Sequence, residues 1–267
     1  MADRYAVIGH PVAHSKSPWI HAEFARASGQ VIEYQRIEAP LEGFARVVDE
    51  FRAAGGRGAN VTLPFKDQAF LYCRNAVTDR ARAAGVVNTL MFESGGVRGD
   101  NTDGVGLLRD ITVNLGRAIA GARVLLLGAG GAAQGVLGPL LAAAPQRLVV
   151  ANRTGAKARS LAQRYGAAAG GGYEGLSGER FDLLINATSA GLAGEAPPLP
   201  AGAFAPGALG YDMVYGRDTP FLAVVRGAGA QACDGTGMLV EQAAESFLLW
   251  RGLRPDTAPV LAALRRG

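Results

Sequence analysis

The clearest pattern of apolar and polar positions lies in the middle of the chain. Val124 to Leu127 is an apolar run typical of a buried strand, GAGG follows as a turn, and a helix is predicted from Ala132. A second apolar run, Leu148 to Ala151, comes one helix length later. The pattern predicts a dinucleotide-binding unit, because glycines let the backbone approach a pyrophosphate at the helix N-terminus. Since the chain holds 38 glycines, a purely structural turn is the alternative.

The residues after the second strand distinguish between the two common dinucleotides. NAD sites usually offer Asp or Glu there for the ribose 2′-hydroxyl, but this chain continues with Asn152, Arg153 and Thr154, followed by Lys157. No acidic residue occurs anywhere from 111 to 173. A guanidinium, a hydroxyl and an ammonium suit a 2′-phosphate. A solvated basic helix face is the alternative and explains Arg153 least well, so the sequence favours NADP.

Strands and helices also alternate before this unit. The predicted segments are strands at Tyr5–Ile8, Val31–Ile37, Gly58–Leu63 and Val86–Phe92, a hairpin arm at Val97–Gly99, and helices at Leu41–Phe51 and Ala76–Ala84. By the two-residue period of a strand, Asn60 and Thr62 fall on one face.

Several polar residues near these elements are candidates for chemistry. Ser17 precedes Pro18 and is a predicted helix N-cap, whereas Ser15 has no such structural role. Pro64 opens another helix and places Lys66 in its first turn. A lysine there faces the positive end of the helix dipole, which favours a functional role over the alternative of an ordinary exposed lysine.

The alternation continues through the second half of the chain. Thr102 or Asp103 is a candidate cap for a helix that runs to Asn114, and the polar loop Asn186–Gly191 follows a strand, at the end where open parallel sheets bind ligands. The other segments are strands at Phe181–Ile185 and Ala230–Cys233, a strand and loop at Leu209–Tyr215, a loop at Gly194–Gly207, and helices at Met238–Arg251 and Ala258–Arg265. Thr219, Pro220 and Phe221 are predicted to cap a further helix that runs to Arg226.

Composition narrows the class of protein. The 267 residues are 49% hydrophobic and 19% charged, which is ordinary for an α/β protein of one large or two modest domains. The net charge of +4 is spread along the chain, so nucleic-acid binding is not indicated. Glycines and prolines interrupt the uncharged stretch 124–146, so no membrane span is expected. Cys73 and Cys233 lack metal-binding spacing and are typical of reduced thiols in a cytoplasmic protein, and no metal site is expected.

Taken together, nine short motifs resemble the shikimate dehydrogenase family over nearly the whole chain. In order they are HSKSP, NVTLPFK, GVVNTL, DNTDG, GAGGAA, NRT, NATSAG, YDMVY with TPF, and GTGMLVEQAA. The resemblance implies an α/β fold with a Rossmann-type, doubly wound parallel sheet domain and a smaller α/β substrate domain. It implies that residues 1–102 and 237–267 form the substrate domain, from the N-terminal segment and C-terminal helices, and that 103–236 bind NADP.

The resemblance also implies roles for single residues in the reversible NADPH-dependent reduction of 3-dehydroshikimate to shikimate. Ser15 and Ser17 would bind the substrate carboxylate, and Lys66 with Asp103 would serve the carbonyl that is reduced. Ring hydroxyls would be bound by Thr62, Asn88, Asp103, Tyr215 and Gln242. Cofactor contacts would come from Gly128, Ala129, Gly130, Gly131, Ala132, Asn152, Arg153, Thr154, Lys157, Met213, Gly235 and Asp79.

Two other functions remain open at this point. One is a relative that also oxidises quinate, often with NAD, although Thr154 stands where such an enzyme would be expected to carry an acid. The other is a non-catalytic NADP-binding sensor, which would have no need of Lys66 and Asp103. Many family members carry a second arginine where this chain has Lys157, so phosphate recognition is expected to be weaker here. The partners implied are a small-molecule substrate, no nucleic acid and no membrane, with the chain acting as a monomer or homodimer.

Overall fold

The computed structural model describes residues 2–166, 168–200 and 202–266. Within these ranges the chain divides into two compact units that differ little in length. The first contains the residues up to Gly106 together with those from Leu239 onward, and the second runs from Leu107 to Met238. Residues 1 and 267, the ends of the predicted substrate-binding segments, lie outside the described residues.

Strands and helices alternate along most of the chain. The strands are β1 Asp3–Gly9, β2 Ile32–Glu38, β3 Gly56–Val61, β4 Thr89–Glu93, β5 Gly96–Asp100, β6 Arg123–Leu127, β7 Arg147–Ala151, β8 Ala169–Gly171, β9 Phe181–Asn186, β10 Phe204–Asp212 and β11 Gln231–Cys233. The α-helices are α1 Ser17–Ser28, α2 Phe44–Ala53, α3 Lys66–Tyr72, α4 Asp79–Ala84, α5 Asp103–Arg109, α6 Gly131–Ala142, α7 Gly155–Tyr165, α8 Pro220–Gly227, α9 Thr236–Arg251 and α10 Ala258–Arg266. A π-helical turn, Asp110–Asn114, continues α5, and short 3₁₀ turns occupy Tyr173–Leu176 and Ala190–Ala193.

A mixed sheet in the order β2-β1-β3-β4-β5 forms the centre of the first unit. β1 lies parallel to β2 and β3, whereas β4 pairs antiparallel with β3 and β5. The carboxyl ends of the parallel strands therefore share one edge of the sheet. The loops that follow β1 and β3 begin at this edge, and they carry Ser15 and Thr62, two of the predicted substrate-binding residues.

The two faces of this sheet bury different sets of side chains, because successive strand residues point to opposite sides. On one face Ala6 and Ile8 join a cluster in which the rings of Phe44 and Phe65 stack at 5.3 Å. A second cluster joins α1 to the C-terminal helices, where Phe24 meets Phe247 edge to face at 5.9 Å. The C-terminal helices therefore complete the core of the first unit.

His21 lies in this second region as a packing residue. Its ring is fully buried, stacks on Tyr34 at 4.3 Å and lies 5.4 Å from Trp250. Among the described residues, neither ring nitrogen has a hydrogen-bond partner of normal geometry. Burial lowers the pKa of His21 to about 3, opposed only weakly by the nearby Asn60 amide. The folded protein therefore holds this imidazole neutral.

We expect His21 to make the first unit less stable in mild acid. Because the folded-state pKa is about 3 against 6.5 for the unfolded chain, only the unfolded state binds the proton as the pH falls below 6.5. This proton uptake by the unfolded chain lowers the free energy of unfolding by about 2 kcal/mol between pH 7 and pH 5.

Urea titrations of wild type and His21→Phe, followed by tryptophan fluorescence, measure this loss of stability, since Trp19 and Trp250 both lie in the first unit. The variant should lose less stability than wild type over this range, and exposed His14→Gln should behave as wild type. Equal losses in wild type and His21→Phe would contradict the assignment.

A fully parallel sheet in the order β11-β10-β9-β6-β7-β8 forms the second unit. From β6 the chain proceeds outward through β7 and β8, then returns to β9 and proceeds the other way. The strand order therefore reverses between β6 and β9, where doubly wound sheets bind dinucleotides. Apolar side chains from both faces of β6 are fully buried, which explains its uninterrupted apolar run. The predicted α/β class and the doubly wound sheet are confirmed.

The structure corrects several predicted element boundaries. β10 begins at Phe204, inside the segment 194–207 that the sequence predicts to be a loop, because a register irregularity lets the strand accommodate Pro206 and Gly207. α2 begins at Phe44, and Leu41 lies outside it with 57% of its surface exposed. The short strand β8 was not predicted. None of the helices in the described ranges combines the length and apolar character needed to span a bilayer.

Candidate active site

Lys66 and Asp103 form a buried ion pair in the first unit. The Lys66 Nζ atom donates to Asp103 Oδ2 at 2.6 Å, and the side chains are only 14% and 7% exposed. Lys66 is the first residue of α3, as the sequence predicts, and Asp103 is the first residue of α5. An ammonium at a helix N-terminus is unfavourable by itself, so the carboxylate compensates for a position that helix stability alone does not explain.

A buried polar network holds the other oxygen of Asp103. Asn88 Nδ2 donates to Asp103 Oδ1 at 2.8 Å and to Thr102 Oγ1 at 3.0 Å, while its Oδ1 accepts from the Thr102 backbone N–H at 2.8 Å. Thr102 and Asp103 were candidate helix caps, but the Asp103 carboxylate is engaged by Lys66 and Asn88 instead. The Asn101 side chain accepts from the Asp103 backbone N–H at 3.1 Å. Asp103 is therefore fixed from two sides.

The network continues from these residues to Asn60, Thr89 and Ser246, which are not among the predicted site residues. Asn60 donates to Ser246 Oγ at 2.9 Å and to Thr89 Oγ1 at 3.2 Å, and its carbonyl oxygen accepts from Tyr34 at 2.7 Å. Thr89 Oγ1 in turn donates to Asn88 Oδ1 at 2.9 Å. The two-residue strand period places Asn60 on one face with Thr62, but no sequence pattern connects β3 to a serine in α9.

Ser15 and Ser17 lie together, but their backbone roles are the reverse of those predicted. Ser17 is the first residue of α1, and no side chain caps this helix; the predicted N-cap role of Ser17 is therefore wrong. Ser15 Oγ instead accepts from the Ser17 backbone N–H at 3.3 Å. The side chain that accepts a bond from the first N–H of α1 is therefore that of Ser15, two residues before the predicted Ser17. The two hydroxyls are 3.2 Å apart and both serines are buried.

Thr62 and Gln242 are the remaining predicted substrate contacts in the first unit. Thr62 follows β3 directly, is half-buried and donates its backbone N–H to Ile8 at 2.9 Å. Gln242 lies in α9, where its Nε2 donates to the Leu239 carbonyl at 2.8 Å and its Oε1 accepts weakly from Thr102 at 3.5 Å. The structure thus joins Gln242 to the Asn88–Asp103 network.

The glycine turn of the second unit has the geometry that a pyrophosphate requires. Gly128 has a φ of +112°, and a Cβ there would lie 3.1 Å from the backbone of Ala187, so only glycine fits. Gly130 opens onto free space, and α6 begins at Gly131 with no side-chain cap. The first-turn N–H groups therefore remain available to an anion, and the turn fits a bound dinucleotide. Ala129 and Ala132 belong to the same turn and are half-buried.

The residues predicted to recognise the 2′-phosphate follow β7. Arg153, Thr154 and Lys157 are exposed, and the Thr154 hydroxyl makes no capping bond to α7 although Thr154 is its N-cap residue. Asn152 Nδ2 donates to the Thr154 carbonyl at 3.1 Å and shapes this turn. Beside it lies a groove of about 340 Å³, lined by Ala129, Gln134, Lys157, Ser160 and Arg164 among others. Helical spacing from Lys157 could have indicated Ser160 and Arg164, which the sequence analysis did not select.

Met213, Tyr215 and Gly235 lie on the loops that follow β10 and β11. A Cβ at Gly235 would overlap the Met213 carbonyl oxygen, so a close approach of two backbones requires glycine. Buried Asp212 accepts from Thr219 Oγ1 at 2.5 Å and from the Val214 N–H at 3.0 Å, which fixes the loop on both sides of Met213. Burial raises the pKa of Asp212.

Asp79 is the one predicted cofactor contact that belongs to the first unit. Asp79 is exposed, lies in the first unit and begins α4, which Thr78 caps. Among the described residues, no group of three or more His, Cys, Asp or Glu side chains is arranged to hold a metal ion.

Comparison with known proteins places the chain in a family. Residues 7–90 match the shikimate dehydrogenase substrate binding domain, 111–192 match shikimate / quinate 5-dehydrogenase, and 235–265 match the shikimate 5'-dehydrogenase C-terminal domain. Shikimate dehydrogenase (NADP(+)) of Aromatoleum aromaticum is 60% identical over 99% of this chain and 97% of its own length. The corresponding protein of Methylobacillus flagellatus is 57% identical over 98% and 99%.

A solved structure agrees with these sequence relatives. Shikimate 5-dehydrogenase from Thermus thermophilus, in complex with NADP(H) and shikimate, superposes with a TM-score of 0.88 at 37% identity, over 99% of both chains. The motifs, the fold and the relatives therefore agree, and the chain belongs to the shikimate dehydrogenase family.

Proposed function

We propose that this protein catalyses the reversible NADPH-dependent reduction of 3-dehydroshikimate to shikimate, a step of chorismate and aromatic amino acid biosynthesis. The observation that carries the proposal is the buried Lys66–Asp103 pair, joined at 2.6 Å and held by Asn88. A protein that only binds NADP has no use for this pair. The relatives named above support the same activity.

The first unit supplies the substrate-binding and proton-transfer groups. Ser15 and Ser17 would bind the carboxylate through their hydroxyls, and ring hydroxyls would be bound by Thr62, Asn88, Asp103, Tyr215 and Gln242. Reduction of a ketone leaves an alkoxide oxygen that must receive a proton. Lys66 Nζ would donate that proton in reduction and accept it in oxidation, while Asp103 orients the ammonium.

The second unit supplies the cofactor site. The backbone N–H groups of Gly128 to Ala132 would hold the pyrophosphate, and Asn152, Arg153, Thr154 and Lys157 the 2′-phosphate. Further contacts would come from Met213 and Gly235, and from Asp79 of the first unit. When bound, NADPH supplies the hydride.

Initial rates with shikimate and quinate, each with NADP and NAD, test the proposal. We expect turnover of shikimate to be much faster with NADP than with NAD, because the turn after β7 carries Arg153 and no acidic residue. Comparable rates with quinate and NAD would assign the chain to the broader quinate/shikimate enzymes. Tight NADP binding without any turnover would favour the sensor instead.

We expect Ser15→Ala to raise the KM for shikimate about 10-fold, because a hydrogen bond to a charged group is lost, and to leave kcat and the KM for NADP within a few-fold. Steady-state kinetics against both substrates measure this. Ser28→Ala, at the other end of α1, is the matched control, since its Oγ bonds only backbone carbonyls of its own helix. An unchanged KM accompanied by lower thermal stability would assign Ser15 to the start of α1 alone.

Location and assembly complete the proposal. The Cys73 thiol is buried, and burial raises its pKa to about 11, so it is an unreactive thiol that suits a reducing compartment. We place the protein in the cytoplasm as a monomer or homodimer that binds no nucleic acid. Size-exclusion chromatography with light scattering determines the oligomeric state.

A further inference from the structure

Arg36 lies beside the two serines without any assigned role. It belongs to β2, opposite Val7 of β1, and its guanidinium holds the Ser15 carbonyl with two hydrogen bonds, from Nη2 at 2.6 Å and Nε at 2.9 Å. The same residue, Ser15, presents its hydroxyl 3.2 Å from that of Ser17. The Arg36 guanidinium is therefore fixed to the backbone of the same residue whose hydroxyl belongs to the serine pair.

The proposed carboxylate site needs such a cation. Two serine hydroxyls are neutral donors, and moving a carboxylate out of water without a compensating charge is costly. Lys66 is already neutralised by Asp103 at 2.6 Å. Lys16, between the serines, is exposed as Arg36 is, but its ammonium has no hydrogen bond or ion pair among the described residues to hold it in place. His10 faces Glu38 at 3.3 Å.

The Arg36 guanidinium is held by a backbone carbonyl and not by an acidic side chain among the described residues. Many arginines of the first unit face a carboxylate, as Arg80 and Arg254 do. Among the described residues, by contrast, the Arg36 guanidinium is paired with a backbone carbonyl and with no carboxylate within 4.0 Å. The bond to a carbonyl fixes its position without cancelling its charge.

We infer that Arg36 is a specificity-determining residue, which selects a negatively charged substrate at the Ser15–Ser17 pair by its electrostatic field. This inference rests on the proposed function. The substrate carboxylate would accept hydrogen bonds from the two hydroxyls. Arg36, which is bonded to the Ser15 carbonyl, would stabilise the negative charge of the carboxylate without contacting it. Arg36 does not touch the carbonyl that is reduced, so its effect falls on the binding of the anion.

Shikimate and its methyl ester, which lacks the negative charge, test the inference in one experiment. Removing this unit charge should raise the KM of Arg36→Gln for shikimate about 10-fold, with kcat within about twofold. The KM for the methyl ester should stay within about twofold of wild type. Arg36→Lys, which keeps the charge but not the two-pronged bond, should recover much of the loss.

The control is Arg74→Gln, which removes the same charge from an exposed position of the first unit and should leave both KM values unchanged. Ionic strength gives a second readout that needs no ester. The shikimate KM of wild type should rise with added salt, and that of Arg36→Gln should rise much less. Thermal unfolding confirms that the variant is folded.

Each other outcome overturns the inference. Equal increases in KM for acid and ester would show that Arg36 only holds the Ser15 loop, and unchanged KM values would show that it does not act on the substrate. If the ester is not turned over, equal salt dependence in wild type and variant overturns it. Failure of the proposed function would look different, because wild type itself would then not oxidise shikimate.

Discussion

Replacement of Lys66 by alanine should lower kcat by about 10²–10⁴-fold, the usual contribution of a positioned acid–base group, with a much smaller effect on the KM for shikimate. The reason is that the alkoxide formed from the ketone loses its proton donor. Removal of the ammonium also leaves the buried Asp103 carboxylate without its partner, so thermal unfolding must accompany the kinetics. Steady-state rates in both directions measure the loss.

Gln68→Ala provides the matched control for Lys66. Gln68 lies in the same short helix, is exposed and makes only a weak bond to the Leu41 carbonyl at 3.4 Å. Its replacement should leave kcat unchanged. If Lys66→Ala kept kcat within a few-fold of wild type and raised only KM, Lys66 would be a binding residue and the proton would have to come from water or another group.

Arg153→Ala should weaken NADP binding by about 1.5–3 kcal/mol, the contribution of a charge-assisted hydrogen bond, and leave NAD binding nearly unchanged. Its guanidinium is exposed at the turn after β7, so its removal costs the fold little. Titration of both cofactors, followed by fluorescence or calorimetry, gives the two dissociation constants. The ratio of the two constants is the informative quantity.

Arg147→Ala is the control for this change, because Arg147 lies at the opposite end of β7 and pairs with Glu179 at 2.9 Å. It should affect neither cofactor. Equal losses for NADP and NAD in Arg153→Ala would remove the assignment of Arg153 to the 2′-phosphate.

Local rules predicted the elements that depend on local chemistry. Lys66 stands in the first turn of α3, as predicted from Pro64, and Thr219 caps α8 through a bond to the Leu222 N–H at 3.4 Å. The glycine turn was located correctly because its apolar strand, its glycines and its helix are contiguous. In each case one short window of sequence contains all the interacting groups.

The features that escaped prediction depend on distant residues or on the exact path of the backbone. Asn88 bonds Asp103 across 15 positions of sequence, and Asn60 bonds Ser246 across 186. Hydrophobic periodicity assigns each residue to a strand or a helix, but it does not show which strands and helices contact one another. The role of Ser17 was mistaken because a cap is defined by where the chain enters the helix, and the N-cap residue is Lys16, one residue before the position that Pro18 suggests.

The split construction of the first unit has a consequence for the order in which the protein folds during synthesis. Asn60 and Phe24 are synthesised well before their partners Ser246 and Phe247, which follow only after the whole second unit. The continuous segment from Leu107 to Met238 is complete before them and holds its own core, so it can fold while the chain is still growing. The first unit must wait with part of its apolar surface uncovered until the segment from Leu239 onward has been made. Its earliest strands and helices therefore reach their native contacts only after the second unit has been synthesised.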